Sequence, residues 1–359
     1  MSGMWGNKLK FSIFGESHGV GIGITIDGLP AGVEINMEDV MKEMARRAPG
    51  KSNLSTARKE TDAPEILSGF FEGKTTGTPL CAVIRNADMH SKDYGKLKDL
   101  VRPGHADYPG FIKYNGFNDY RGGGHFSGRI TAPLVFAGAI CKQILEAKGI
   151  IIGAHVKSIG KIQDKSFDQI ELNKELLNKL KCNELPLILT EKEDEMRNTI
   201  LEARKDGDSI GGTIECTVIG INPGIGNPFF DSVESTLAHL MFSVPAVKGI
   251  EFGKGFLMSE LRGSECNDEY YYEGDKIRTY TNNNGGITGG ITNGMPILFK
   301  ACIKPTPSIS KKQRTIDIAE KKDSELVIEG RHDPCIVQRA IPVIESVTAI
   351  GILDLILNA

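Results

Sequence analysis

The chain has 359 residues, 40% of them apolar and 25% charged, with a formal net charge of −3. That is enough chain for a substantial core, and the acidic balance gives no general attraction to nucleic acid or to an anionic membrane. The seven cysteines (Cys81, Cys141, Cys182, Cys216, Cys266, Cys302 and Cys335) are odd in number, widely spaced and without a C-x-x-C pair, which argues against a zinc site or disulfide framework and for reduced thiols in a cytoplasm.

The opening "MSGMWGNKLKF" has no apolar h-region, and no stretch reaches about 18 uninterrupted apolar residues, so neither a signal peptide nor a membrane span is expected. "KLKFSIF" reads as a strand and, after a GESHG turn, "GVGIGITIDGLP" reads as another. "NMEDVMKEMARRAP" reads as a helix capped by Asn36, with Glu38 and Asp39 in its first turn and Pro49 as its stop. Residues 50 to 62 are polar and loop-like, and "EILSGFFEGKTTGTPLCAVIRN" reads as strand, turn, strand. From Asp88 to Gly124 no regular period holds, as in a long functional loop. A helix is expected over residues 131 to 147, and residues 164 to 206 carry a solvated helical period around Leu172, Leu176, Leu177 and Leu180. Then follow a strand at "GGTIECTVIGIN", a helix at "VESTLAHLMFSVPAV", a Gly/Asn-rich loop over residues 282 to 294, a strand at "MPILFKACIKP" and a long amphipathic helix at "IPVIESVTAIGILDLILN". Helices and strands without strict alternation predict an α+β fold of antiparallel sheets and helices. No linker divides residues 1–359, which are taken as a single domain. Two halves share a loose design, a Gly-rich loop ("RGGGHFSG", "NGGITGG") followed by an apolar element.

Gly15-Glu16-Ser17-His18-Gly19 matches G-x-S-x-G, the nucleophile elbow of serine hydrolases. The elbow needs strand, turn and helix, whereas the element after Gly19 reads as a strand, and only 14 residues precede Gly15. A hydrolase using Ser17 is therefore the weaker alternative. Charged and polar residues gather instead in several Gly- or Pro-bearing loops: "GESHG", "RRAPGKS", "RPGHADY", "DYRGGGHFSGR", "KPTPSISKKQR" and "GRHDPCIVQR". Most of their charges are positive on an acidic body, which suits a small polyanion bearing phosphate and carboxylate. His18, His105 and His332 each sit in a turn, where acid/base histidines are found. A module that binds anions or RNA through the same loops fits less well, because the net charge is negative and no aromatic platform appears. No His or Cys pair has metal-ligand spacing, and no Rossmann fingerprint lies between a strand and a helix.

The ordered set "FGESHG", "RRAPGKS", "ETDAPEILSGFFEGKTTGTP", "RPGHADY", "DYRGGGHFSGR", "AVKGIEFG", "NNNGGITGG", "KPTPSI", "GRHDPC" and "RAIPVIE" resembles the chorismate synthase family over essentially the whole chain. The resemblance implies a layered β-α-β sandwich, a homotetramer, and 1,4-anti elimination of phosphate from 5-enolpyruvylshikimate 3-phosphate to give chorismate, using reduced FMN without net redox change. It implies His18 as general acid, His105 beside the flavin, Asp333 as the base that relays a proton from flavin N(5), and Ser17 and Ser127 in hydrogen-bonding support. Arg46, Arg47, Arg121, Arg129 and Arg339 would hold the substrate anions. FMN would lie against His125, Phe126, Ser127, Pro245, Ala246, Gly289, Lys304, Pro305, Thr306, Pro307, Ser308 and Arg331, with Lys304, Thr306 and Ser308 on its phosphate. NADPH would use Arg47 and residue 53. Family members often carry Arg where this chain has Asn53, so FMN reduction by an external flavin reductase is expected.

Overall fold

A computed structural model describes residues 3–50, 54, 62–86, 98–328, 330 and 332–359. Alternating apolar residues build two five-stranded antiparallel sheets. The first contains β1 (Met4–Trp5), β2 (Lys10–Gly15), β3 (Gly21–Asp27), β4 (Pro64–Ser68) and β5 (Leu80–Arg85), in the order β1-β2-β3-β5-β4. The second contains β6 (Ile151–Ile159), β7 (Ile162–Gln163), β8 (Gly212–Ile219), β9 (Val247–Phe252) and β10 (Ile297–Ile303), in the order β9-β10-β8-β6-β7. Ile22, Ile24 and Ile26 on β3 and Ile152, Ala154 and Val156 on β6 belong to one buried core.

Helices α1 (Met37–Arg47), α3 (Thr131–Glu146), α6 (Val233–Ser243) and α7 (Val337–Asn358) fill the space between the sheets. The short α2 spans Asp107–Lys113. The helical period over residues 164 to 206 resolves into α4 (Lys174–Lys181) and α5 (Glu193–Lys205). The buried Leu177 and Leu180 of α4 cover the outer side of the second sheet at Ile151 and Leu298. The arrangement is the expected α+β layering. One expectation fails: α7 is not amphipathic but buried on nearly every side. Its mean hydropathy of 2.0 would suit a membrane span, yet 83% of that stretch is buried inside the protein, so it is a core helix. At its end Asp354 accepts hydrogen bonds from the Lys8 and Leu9 N–H groups (2.9 and 2.7 Å), tying the C-terminus to the start of the first sheet.

A charged knot crosses the helical layer. Glu345 of α7 is fully buried and accepts from Arg46 of α1, Lys142 of α3 and the Ala154 N–H of β6. Glu43 completes it, accepting from Arg46 and Lys142 at 2.8 Å each. Burial opposes the Glu345 charge, but Arg46 and Lys142 outweigh it and hold the carboxyl far below the ordinary range.

Candidate active site

The GESHG stretch is the turn between antiparallel strands β2 and β3, so the strand-to-helix elbow of a hydrolase is not formed. The turn packs under the loop that carries Arg121–Phe126. Ser17 N–H donates to the Gly124 carbonyl at 3.1 Å, and His125 Nδ1 donates to the Gly15 carbonyl at 2.9 Å. Ser17 Oγ donates to the Arg121 carbonyl at 3.4 Å and lies 3.1 Å from His18 Nδ1. The Ser17 hydroxyl thus bridges the Arg121 carbonyl and His18 Nδ1, which orients the imidazole ring. His18 is only 6% exposed. Gly122, at φ +60°, lies so close that a Cβ there would fall 2.0 Å from His18 Cε1. Gly122 of "RGGGHF" is thus a shelf shaped for the imidazole. Arg121 projects beside it, paired with Asp119 at 2.7 Å.

A chain of polar contacts runs from this turn into a buried group of arginines. Asn86 Nδ2 donates to the Glu16 and Gly19 carbonyls, while its Oδ1 accepts from Arg129 Nε at 3.1 Å. Arg129 and Arg47 both bind Asp62, one on each carboxylate oxygen. Arg339 Nε donates to the Arg47 carbonyl at 3.1 Å and its Nη1 pairs with Asp333 at 2.7 Å. Asp62 thus joins Arg47 to Arg129, and Arg339 links the pair to Asp333. Burial, together with Arg339 and Arg129, lowers the pKa of Arg47 despite the opposing pull of Asp62. Such a group is matched to an added anion.

A further cluster is built on the turn "RPGHAD". Arg102, 5% exposed, binds Asp107 through its backbone N–H, Nε and Nη2, which folds the segment back and presents His105 from the middle of the turn. His105 Nε2 and Ser308 Oγ share a 2.8 Å hydrogen bond, and Lys304 Nζ donates to the Gly104 carbonyl at 2.7 Å. Lys304 N–H in turn donates to the carbonyl of Ala246, a residue held at φ +74°. Burial first, then the Arg102 cation and more distantly Lys304 and His332, push the His105 pKa down to about 4.

The full-length family model of chorismate synthase matches residues 9–357. The chain belongs to the chorismate synthase family. It is 48% identical to the chorismate synthase of Pyrococcus abyssi, over 98% of this chain and 96% of that protein, and 46% identical to that of Thermococcus kodakarensis, over 99% and 98%. Its fold is similar to a crystal structure of chorismate synthase with a TM-score of 0.78 and 32% identity, covering 99% of this chain and 93% of that one. It is thus an enzyme of the chorismate synthase type, a lyase, and the serine-hydrolase alternative finds no support.

The structure sorts the expected site residues. Ser17, His18, Arg121, His125 and Ser127 form one cluster. Arg47, Arg129, Arg339 and Asp333 form a second, and His105, Ala246, Lys304 and Ser308 a third. Pro245 adjoins Ala246, while Pro305, Thr306 and Pro307 lie between Lys304 and Ser308. Phe126 turns toward α2, its ring 6.2 Å from Tyr114. Arg46 is removed from the substrate set, because its guanidinium is committed to Glu345 and Glu43 in the core. Gly289 lies on the exposed turn of the Ile287–Thr292 hairpin, whose Gly290 carbonyl accepts from the Val233 N–H at the start of α6. Arg331 and Asn53 fall outside the described residues. Sequence reasoning missed Asp62 and Asn86, which join Arg129 to Arg47 and to the GESHG turn. The only signal was an acid in "KETDAPE" and an amide at the end of the apolar stretch "LCAVIRN".

Proposed function

We propose that this enzyme eliminates phosphate from 5-enolpyruvylshikimate 3-phosphate to give chorismate, with reduced FMN bound and without net redox change. The observation that carries the reading is the buried arginine cluster of Arg47 and Arg129, linked through Asn86 to the turn that holds His18. The substrate's phosphate and two carboxylates would neutralise Arg47, Arg129, Arg339 and the more exposed Arg121. His18 Nε2, as imidazolium, would donate its proton to the leaving phosphate, with Ser17 fixing Nδ1. Asp333, placed by Arg339, would accept a proton on its carboxylate.

The His105–Lys304–Ser308 cluster fits a flavin. Thr306 Oγ1 beside it is buried without a hydrogen-bond partner among the described residues, a deficit that a bound cofactor would relieve. Lys304, Thr306 and Ser308, with His125 to Ser127, Pro245, Ala246 and Arg331, would hold it. Bound reduced FMN would supply electron density that assists loss of phosphate and of the C(6) hydrogen. Arg47 is already buried against Asp62, so an NADPH site there is disfavoured, and we assign FMN reduction to an external flavin reductase. The exposed Phe229, Phe230, Phe256 and Tyr272, each at least 78% accessible, support a homotetramer that covers them. All seven cysteines are free thiols, which supports a cytoplasmic setting. His18→Ala tests the core of the reading. Turnover is expected to fall roughly 10²-fold or more with FMN affinity retained, and equal turnover would refute it.

A further inference from the structure

We propose that the groove beside the KPTPS segment receives the ribityl chain of the flavin, and that Gln313 is a cofactor-binding residue for it. The inference rests on the flavin reading above but adds a residue and a ligand part that the family resemblance did not supply. Gln313 Nε2 and Thr306 Oγ1 are both buried and both lack a hydrogen-bond partner among the described residues. The two residues line the same open groove of about 260 Å³. A native fold retains such a deficit where a ligand or an ordered water relieves it. Two deficits on one wall of one groove point to a single polyfunctional ligand.

The charge of the groove selects that ligand. Among its described lining residues the only ionisable one is Asp208. Both Asp208 oxygens are engaged, one by Lys311 Nζ at 2.7 Å and the other by the Ser209 N–H at 2.8 Å. The nearest described cation to the lining, Lys304, sits at its rim, with Nζ on the Gly104 carbonyl. An amide, a hydroxyl and a carboxylate, between apolar stretches of Pro305, Pro307 and Ile309, match a neutral polyol, whose hydroxyls both donate and accept. The position agrees. Gly104 and Pro307 line the groove and are the chain neighbours of His105 and Ser308. A flavin ring beside His105 can therefore send its side chain along this wall, with the phosphate left for Lys304.

Three flavins separate the possibilities: lumiflavin, which has no ribityl chain; riboflavin, which has the chain without phosphate; and FMN. Binding of each in its oxidised form would be measured by fluorescence quenching for the wild-type enzyme, Gln313→Leu and Thr306→Val. Gln313→Leu is expected to weaken riboflavin and FMN by the same factor, roughly fivefold for one neutral hydrogen bond, and to leave lumiflavin unchanged. Thr306→Val should behave alike. A loss confined to FMN would place Gln313 on the phosphate and overturn the assignment. Unchanged binding of all three would overturn it too, as would an equal loss of all three with a lowered Tm. A wild-type enzyme that binds none of them would instead sink the flavin reading itself.

Discussion

Gly122→Ala tests whether the glycine shelf under His18 is part of the catalytic machinery. The new methyl carbon would lie 2.0 Å from Cε1 and 2.2 Å from Nδ1 of His18. Restoring an ordinary contact of 3.4 Å requires a displacement of about 1.4 Å, and a shift near 1 Å in a reacting group can cost about 10²-fold in rate. The shift also breaks the 3.1 Å Ser17–His18 hydrogen bond that orients the ring. The left-handed backbone at φ +60° adds roughly 1–2 kcal/mol of instability for alanine. Gly123→Ala is the matched control. It imposes at least as large a backbone cost at φ +102°, but its methyl would meet nothing closer than Ser127 Cβ at 3.7 Å. Steady-state turnover and urea unfolding would be measured for both variants, and for Gly122→Ala combined with His18→Ala. The account expects both single glycine variants to lose stability and only Gly122→Ala to lose roughly 10²-fold or more in kcat. The double variant should be no slower than His18→Ala alone, because both changes remove one function. Wild-type turnover in Gly122→Ala would refute the argument, as would equal losses in the two glycine variants.

Four further outcomes are expected. Glu345→Gln should destabilise the fold by about 3–5 kcal/mol, because it leaves buried Arg46 and Lys142 undercompensated. Arg46→Met should lower Tm without raising KM, whereas Arg129→Met should raise KM; a matching rise for Arg46→Met would return that residue to the substrate site. His105 has a folded-state pKa near 4 against 6.5 for the free side chain. The unfolded chain therefore binds the extra proton between those values, and unfolding free energy should fall as pH drops from about 6.5 to about 4, by at most about 3 kcal/mol from this group. His105→Gln should flatten that limb of a pH series of urea melts, and an unchanged slope would contradict the depressed pKa. Asp333→Asn should bind substrate and FMN normally yet slow C(6)–H cleavage, read as delayed flavin absorbance changes in a single turnover; a wild-type transient would remove Asp333 as the base.

What the sequence disclosed follows from where the physics is local. The α1 helix is written in its cap and charges: Asn36 Oδ1 accepts from the Glu38 N–H at 2.9 Å, Glu38 and Asp39 occupy the first turn, and Pro49 follows the end. The strand–turn–strand around GESHG is equally legible, because β3 pairs directly with β2. Strand β6 escapes pattern reading because Ile152, Ala154 and Val156 face the helices while Ile151 packs against Leu177 and Leu180 on the other side, so no apolar–polar alternation survives. The same double burial disguised α7. Helix α2 hides in "DYPGFIK" because Pro109 and Gly110 read as a turn, although a proline is tolerated in the first turn of a helix. In the site, the motif histidines were visible one at a time. The Arg47–Asp62–Arg129 bridge was not, because Asp62 and Arg129 are 67 residues apart and only the fold makes them neighbours. Arg46 misled for the mirror reason: beside Arg47 in sequence, it leaves the helix on another face and meets Glu345, 299 residues away.

The most direct test of the central claim is an anaerobic turnover. Enzyme, reduced FMN and 5-enolpyruvylshikimate 3-phosphate would be mixed while phosphate release, chorismate absorbance and flavin oxidation state are followed together. The account predicts equal amounts of phosphate and chorismate over many turnovers, with the flavin still reduced at the end. No phosphate release, or flavin oxidised in proportion to product, would contradict it.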